Sequence, residues 1–299
     1  MSGRNLIRLG VLACIWGASF LLIKLALGGL SPIQIVLGRL TAGAVVLLIV
    51  ALSQRKTLPR EPTFWLHLTV MALVANIIPF FLFGWGQLRI SSSLAGVLNA
   101  TTPLFTMILA GLFLPEERFS SARISGLLLG FVGVAVIINP WHSGQAMDSI
   151  AGQLACLGAA VCYGVSFVYA RKFITGRRLA PVALSAGQIS LAALLLWIAA
   201  PGIARGEMNL TPVVVGSVGI LGAIGTGVAY LLVYRLVEET GATSASLVTY
   251  VIPIVAVTLG VLVLDEPLSW RLFAGAGLVI TGVVLAEGRL KGFLSVASR

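Results

Sequence analysis

Trp16-Gly17-Ala18-Ser19-Phe20 and Tyr163-Gly164-Val165-Ser166-Phe167 are two versions of one phrase, 147 residues apart, and Lys24 falls on Arg171 at the same offset. The correspondence continues outward. Leu30-Ser31-Pro32 meets Leu179-Ala180-Pro181 at an offset of 149, as Gly38-Arg39 meets Gly187-Gln188. Ala95, Pro103, Leu109, Leu114 and Glu116 meet Ala245, Pro253, Leu259, Leu264 and Glu266 at 150. Gly126 and Gly133 meet Gly275 and Gly282 at 149. A drift this small is what loop insertions produce, so the chain reads as two related halves, 1–140 and 150–291, with a tail at 292–299.

The composition says what the halves are made of. Of 299 residues, 58% are hydrophobic and 10% charged, and the mean hydropathy is +1.04. Soluble domains carry about 45–50% apolar and about 25% charged residues. Too little polar surface is present to clothe a water-soluble globule, and disorder requires the opposite composition. A helix needs about 20 apolar residues to cross a hydrocarbon core of roughly 30 Å. Ten stretches meet that length: 6–27, 32–52, 64–87, 92–114, 121–139, 150–173, 181–201, 212–237, 243–264 and 270–289. They are continuous rather than alternating, which argues against a β-barrel. The expected fold is an all-α polytopic membrane protein of ten transmembrane helices.

Five spans per half is an odd number, so the second half must cross in the sense opposite to the first. Inverted halves meeting near the bilayer midplane, with a substrate site between them, are a recurring transporter architecture. Lys and Arg set the orientation. Fifteen of the twenty lie on the side of the two termini: Arg4, Arg8, Arg55, Lys56, Arg60, Arg118, Arg123, Arg171, Lys172, Arg177, Arg178, Arg235, Arg289, Lys291 and Arg299. Four lie on the other, namely Lys24, Arg89, Arg205 and Arg271, and Arg39 is inside span 2. Both termini are therefore expected in the cytoplasm. The net charge of +10 reads as this orientation signal, not as a nucleic-acid footprint. The loop with Arg171, Lys172, Arg177 and Arg178 could touch anionic lipid heads.

These residues resemble the drug/metabolite transporter superfamily, in its ten-span EamA branch. The resemblance rests on Trp16-Gly17 in span 1, Ser31-Pro32 with Gly38-Arg39, and Pro103 with Glu116. Gly133-Val134 in span 5 adds to it, with Pro253, Asp265-Glu266-Pro267 and Gly282-Val283 in the second half. It covers nearly the whole chain. Within the branch the chain is similar to bacterial exporters of amino acids, including aromatic ones. The resemblance implies ten helices, a central cavity and alternating access without ATP, in the bacterial inner membrane.

Arg39 is the one strong charge deep in a span. Isolated charge in hydrocarbon is costly and marks a pathway or a pair. It is either an anchor for a substrate carboxylate or a structural donor to helix-end carbonyls; its counterpart, Gln188, is neutral. Trp16, Ser19, Asn76, Asn99, Tyr163, Ser166, Tyr230 and Tyr250 are the other polar or amphipathic groups at mid-depth. Aromatic rings beside hydroxyls and amides suit a mainly apolar cavity with a few polar anchors. The alternative is packing, with hydroxyls bonded to their own helices. Pro103 and Pro253 each remove a helical hydrogen bond at the centre of a span and are expected hinges; Pro79, one turn after Asn76, is a third.

The remaining features exclude more than they assign. No Gly-x-x-x-x-Gly-Lys-Ser/Thr loop is present, which argues against ATP-driven transport by this chain alone. All ten acids sit at span ends or in loops. The four-span cation exporters of the superfamily carry a glutamate in their first helix, and residues 6–27 have none, against direct cation–proton exchange. No acid or histidine sits mid-span, which leaves an intramembrane enzyme without acid–base or metal chemistry. No metal or other cofactor is expected. A channel would want charge rings or a carbonyl filter. Cys14, Cys156 and Cys162 read as small core residues, His67 and His142 as structural. Gly126-Leu-Leu-Leu-Gly130, with Gly275 and Gly277 in span 10, suits close helix packing, within one monomer or across a dimer. The partners expected are a small-molecule substrate (amino acids or similar metabolites) and the lipid bilayer. A nucleotide-sugar-like or other phosphorylated anion is the alternative substrate.

Overall fold

The computed structural model describes residues 2–55, 61–115, 120–139, 147–174, 180–240 and 248–286, and these residues are helical in ten successive spans. Span 1 is Gly3–Ala26 and span 2 Pro32–Ser53. Span 3 runs from Pro62 to Gln87 and span 4 from Ser92 to Phe113; span 5 is Ser121–Ile138. Span 6 runs from Met147 to Ile174, span 7 is Pro181–Ile203, and span 8 runs from Pro212 to Thr240. Spans 9 and 10 are Val248–Leu264 and Trp270–Ala286. Eight of the helices are long and apolar enough to cross a membrane, and spans 9 and 10 are shorter apolar helices. The protein is a multi-pass, all-helical membrane protein. Helix starts follow local chemistry: Ser31 caps span 2 in a reciprocal capping box with Gln34, and Pro32 occupies the first turn. Residues 243–247 and 287–289, the ends expected for spans 9 and 10, lie outside the described residues, as do His142, Glu116, Arg177 and Arg178.

Two expectations change in detail. Span 4 is not one rod. It stops at Asn99 and restarts at Thr102, so Pro103 sits in the first turn of a new helix, where its missing N–H costs nothing. Pro253 lies inside an unbroken helix. Spans 3 and 8 each widen into a π-helical turn, Leu73–Ile77 and Ala223–Val228, at repeat-equivalent positions. Pro79 immediately follows the first. The second has no proline, so proline is not what widens the helix. Span 6 ends in a third π turn, Ala170–Ile174.

Contacts between spans are exchanged in pairs. Span 1 packs on span 9, as span 6 packs on the second part of span 4. Span 1 also packs on span 8, as span 6 packs on span 3. Spans 2 and 7 pack on each other, and so do spans 5 and 10. In the last pair Gly126 lies against Gly282, and Gly133 against Gly275. Rising numbers in span 5 meet falling numbers in span 10, so the two are antiparallel. The pairing is reciprocal, because Gly282 is the counterpart of Gly133 and Gly275 that of Gly126. A Cβ at any of the four would strike the facing backbone. This glycine face is used within the chain; Gly277 faces open space. Spans 2 and 7 are antiparallel too: Gln34 donates to Ala204 O, and Trp197 Nε1 to Thr41 Oγ1.

Among the cysteines, Cys156 is buried, whereas Cys14, expected in the core, is exposed. His67 is structural: its Nδ1 lies 2.8 Å from the Tyr169 hydroxyl and its ring stacks on Phe173, tying span 3 to span 6.

Candidate functional site

Spans 2 and 8 run parallel and almost touch. Gly222 has no side chain where a Cβ would meet Arg39 O and Ala42, and Gly43 has none where it would meet Thr226. That approach lets the buried Arg39 guanidinium donate from Nε to Thr226 Oγ1 at 3.0 Å. Thr226 lies in the π turn of span 8, and its hydroxyl donates in turn to Leu221 O, five residues back. Spans 3 and 7 do the same at the equivalent place. Gln188 Nε2 donates to Asn76 Oδ1 at 2.6 Å, and Asn76 lies in the π turn of span 3. Asn76 and Thr226 are both fully buried. Arg39 and Gln188 are counterparts, and so are Thr226 and Asn76. One device is thus built twice, once with a charge and once without.

The widened turns explain why these polar groups sit there. A π turn leaves a helical carbonyl or side chain out of the regular ladder, and such turns recur at functional positions. In apolar surroundings polar groups need partners, and Thr226, Asn76 and Gln188 find theirs within the arms.

Aromatic rings close the cluster. The Arg39 guanidinium stacks on the Phe80 ring, its carbon 3.8 Å from the centroid. Asn76 Nδ2 donates to the Tyr230 hydroxyl at 3.0 Å. Tyr163 and Tyr230 both pack against the apolar cluster that contains Phe80. Tyr163 also meets Phe83, with centroids 6.0 Å apart, and Phe83 meets Phe20 edge-on at 5.4 Å. Among the described residues, Nε is the one Arg39 nitrogen that spends a hydrogen bond on protein, so both terminal nitrogens keep theirs. A guanidinium fork held this way matches a planar carboxylate. The cluster contains no metal-ligand set, and no group of three His, Cys, Asp or Glu that could hold a metal occurs among the described residues.

The structure therefore gathers Arg39, Asn76, Gln188, Tyr163 and Tyr230, five of the ten residues named from sequence as substrate contacts. Among the described residues, none of the other five is hydrogen-bonded into the cluster, although Ser19 Oγ lies against Gly225 in the π turn of span 8. Ser19 Oγ donates to Ile15 O and Ser166 Oγ to Tyr163 O, each within its own helix. Trp16 and Tyr250 are partly buried against the main apolar core. Asn99 ends the first part of span 4, beside the break. Sequence reading missed Thr226 and Phe80. The signal was available, since 226 is 150 beyond Asn76 and 80 is 150 before Tyr230.

A helical membrane protein with a buried, half-charged polar cluster between paired spans has the form of a solute transporter. The chain belongs to the EamA-like transporter family, which matches residues 6–139 and again 150–287. An uncharacterized transporter of Archaeoglobus fulgidus is 29% identical over 90% of this chain and 94% of its own length. A protein of Streptantibioticus cattleyicolor, named as a probable terminal-alkyne amino-acid exporter, is 27% identical over 93% of this chain and 91% of its own. A solved crystal structure superposes with a TM-score of 0.67 at 20% identity, covering 96% of this chain and 97% of that one.

Proposed function

We propose that this protein exports amino acids, aromatic ones included, and related small metabolites by alternating access between its halves, residues 1–140 and 150–291. The supporting observation is the doubled arm, Arg39–Thr226 and Gln188–Asn76, at equivalent places in spans that pack across the halves. Arg39 is eight residues into span 2 and Gln188 eight into span 7, so each lies about 10 Å from its own helix start at 1.5 Å per residue. The two spans are antiparallel, which sets the arms on either side of mid-depth. In this reading Arg39 takes the carboxylate, while Tyr163, Tyr230 and Phe80 supply the apolar wall. Trp16, Ser19, Asn99, Ser166 and Tyr250 join the route in another state. Pro79, Pro103 and Pro253 are the bending points. The charge bias supports an orientation with both termini in the cytoplasm, and bacterial relatives support a bacterial inner membrane. A monomer is the working unit, consistent with the glycine face of spans 5 and 10 being spent within the chain.

Carriage of a phosphorylated or nucleotide-sugar-like anion is the second reading, and it rests on the same Arg39. It is the weaker one. A dianion in hydrocarbon calls for more than one cation, and Arg39 is the one charged side chain in the cluster among the described residues.

Transport by Arg39→Ala in proteoliposomes tests the assignment. Losing a charge-assisted hydrogen bond costs about 1.5–3 kcal/mol, so uptake of carboxylate-bearing substrates is expected to fall about 10- to 100-fold. Uncharged analogues are expected to lose far less. An equal loss for both classes, at equal protein per liposome, would make Arg39 structural.

A further inference from the structure

The two ends of the bundle are not alike. At the end where span 1 finishes, the Phe20 side chain is 6% exposed against Phe83, while its counterpart Phe167 at the opposite end is 60% exposed. Lys24 is half-buried at the first end, and its counterpart Arg171 is exposed at the other. Equivalent residues are thus covered at the Lys24 end and bare at the other, where Arg8 of span 1 meets Glu239 of span 8 at 2.6 Å.

Two caps lie over the Phe20–Phe83 contact. Lys24 Nζ donates to Gln87 O at 2.6 Å and Ile90 O at 2.9 Å, neutralising the carbonyl end of span 3. Glu266 accepts from the first N–H groups of span 4: Ser92 N to Oε1 at 2.6 Å, Ser93 N to Oε2 at 2.9 Å, and Ser93 Oγ to Oε2 at 2.5 Å. The first cap joins spans 1 and 3 of one half. The second joins span 4 of the first half to the end of span 9 in the second.

We propose that Glu266 is the latch of the Lys24 end: by capping the first turn of span 4 it holds the two halves shut above Phe20 and Phe83, and its release opens that end. This inference rests on the alternating-access reading, yet it is independent of the substrate.

The backbone is shaped for the latch. Span 9 ends at Leu264, Asp265 turns into the left-handed region at φ 52°, and Glu266 folds back so that its N–H reaches Gly260 O. Pro267 follows, so the helix cannot resume. Gly260 leaves room: a Cβ there would run into Ser93 Oγ and Glu266 Oε2. Gly96 does likewise one turn further in, where a Cβ would strike Ala256. The shut layer also carries a cost. Gln87 is fully buried, and neither atom of its carboxamide has a partner among the described residues. Water admitted on opening would satisfy that amide, which offsets part of what the latch loses and makes release reversible.

The test is the separation between spin labels at Leu88 and Leu268, both exposed at the Lys24 end. They would be carried on genetically encoded ketone side chains in the full chain, in lipid nanodiscs, leaving the native cysteines in place. The unaltered latch is expected to give mainly the short separation. Glu266→Gln keeps the shape but removes the charge and one acceptor, and is expected to raise the ratio of long to short separations about tenfold. Ser93→Ala, which removes one hydroxyl, is expected to raise it less; it decides the matter should Glu266→Gln fail to fold. Unchanged distances in both variants overturn the latch. Distances that respond in a protein that carries no amino acid would leave the latch standing and remove the substrate reading; amino-acid transport with unmoved distances would do the reverse.

Discussion

Two side chains carry most of the chemistry proposed, and each is held by a different balance. Arg39 is charged in an apolar layer, which the membrane penalises by several kcal/mol. It is retained because Thr226 and the Phe80 face offset that cost without using its whole fork. Glu266 is at a helix end, where burial alone would raise its carboxyl. The Ser93 hydroxyl and the N–H groups of Ser93 and Ser92 outweigh burial and hold it below the ordinary glutamate value. Lys24 is the charged side chain coupled to it across the layer. An acid held low in the shut state stabilises that state above its ordinary value, and the contribution is lost as pH falls through the lowered one. The long-separation population between Leu88 and Leu268 is therefore expected to grow on acidification in the unaltered protein. In Glu266→Gln it is expected to be insensitive over the same range. A parallel response in both would assign the pH effect to another group.

At the level of helices, glycine placement decides which spans can touch. Gly126, Gly133, Gly275 and Gly282 let spans 5 and 10 approach backbone to backbone; a Cβ at Gly282 would stand 2.6 Å from Gly130 N. Gly282→Val is expected to destabilise the bundle by about 1–3 kcal/mol through overpacking. Gly277→Val, in the same helix but facing open space, is expected to change it by less than about 0.5 kcal/mol. Thermal unfolding in detergent compares the two, and equal midpoints would mean that this face is not what joins the spans. Much at this level was legible in the sequence. Ten apolar runs, their turn residues and the glycine pattern all follow from the thickness of hydrocarbon and the absence of a side chain. The π turns were not. Pro79 hints at the first, but nothing in Ala-Ile-Gly-Thr-Gly-Val, 223–228, departs from ordinary helix, because it is the packing of Gly43 and Arg39 against span 8 that rewards the widening. Pro103 points to a hinge in span 4, but the break falls before it, at Ala100–Thr101, and the proline sits in the restart. At the site, Arg39, Asn76 and Gln188 stood out because charge and amide are rare in a span. Thr226 and Phe80 did not, because threonine and phenylalanine are common there; only the 150-residue offset points to them.

For the molecule as a whole, the exchanged contacts and the antiparallel pairing of spans 5 with 10 and 2 with 7 describe two similar bodies facing each other. The cluster at mid-depth belongs to both. In the proposed reading, its inequality, an arginine on one arm and a glutamine on the other, gives the route a preferred orientation for an anionic group. In the proposed account, the covered Lys24 end and the bare Phe167 describe one of two states that such an arrangement exchanges. Tracer counterflow into proteoliposomes holding the purified protein, preloaded with unlabelled aromatic or other amino acids and supplied with no nucleotide, tests this account most directly. The account predicts saturable, transient accumulation of tracer above equilibrium, present with amino acids inside and absent from empty liposomes. Flux that rises without saturation and never overshoots would contradict alternating access through a central site.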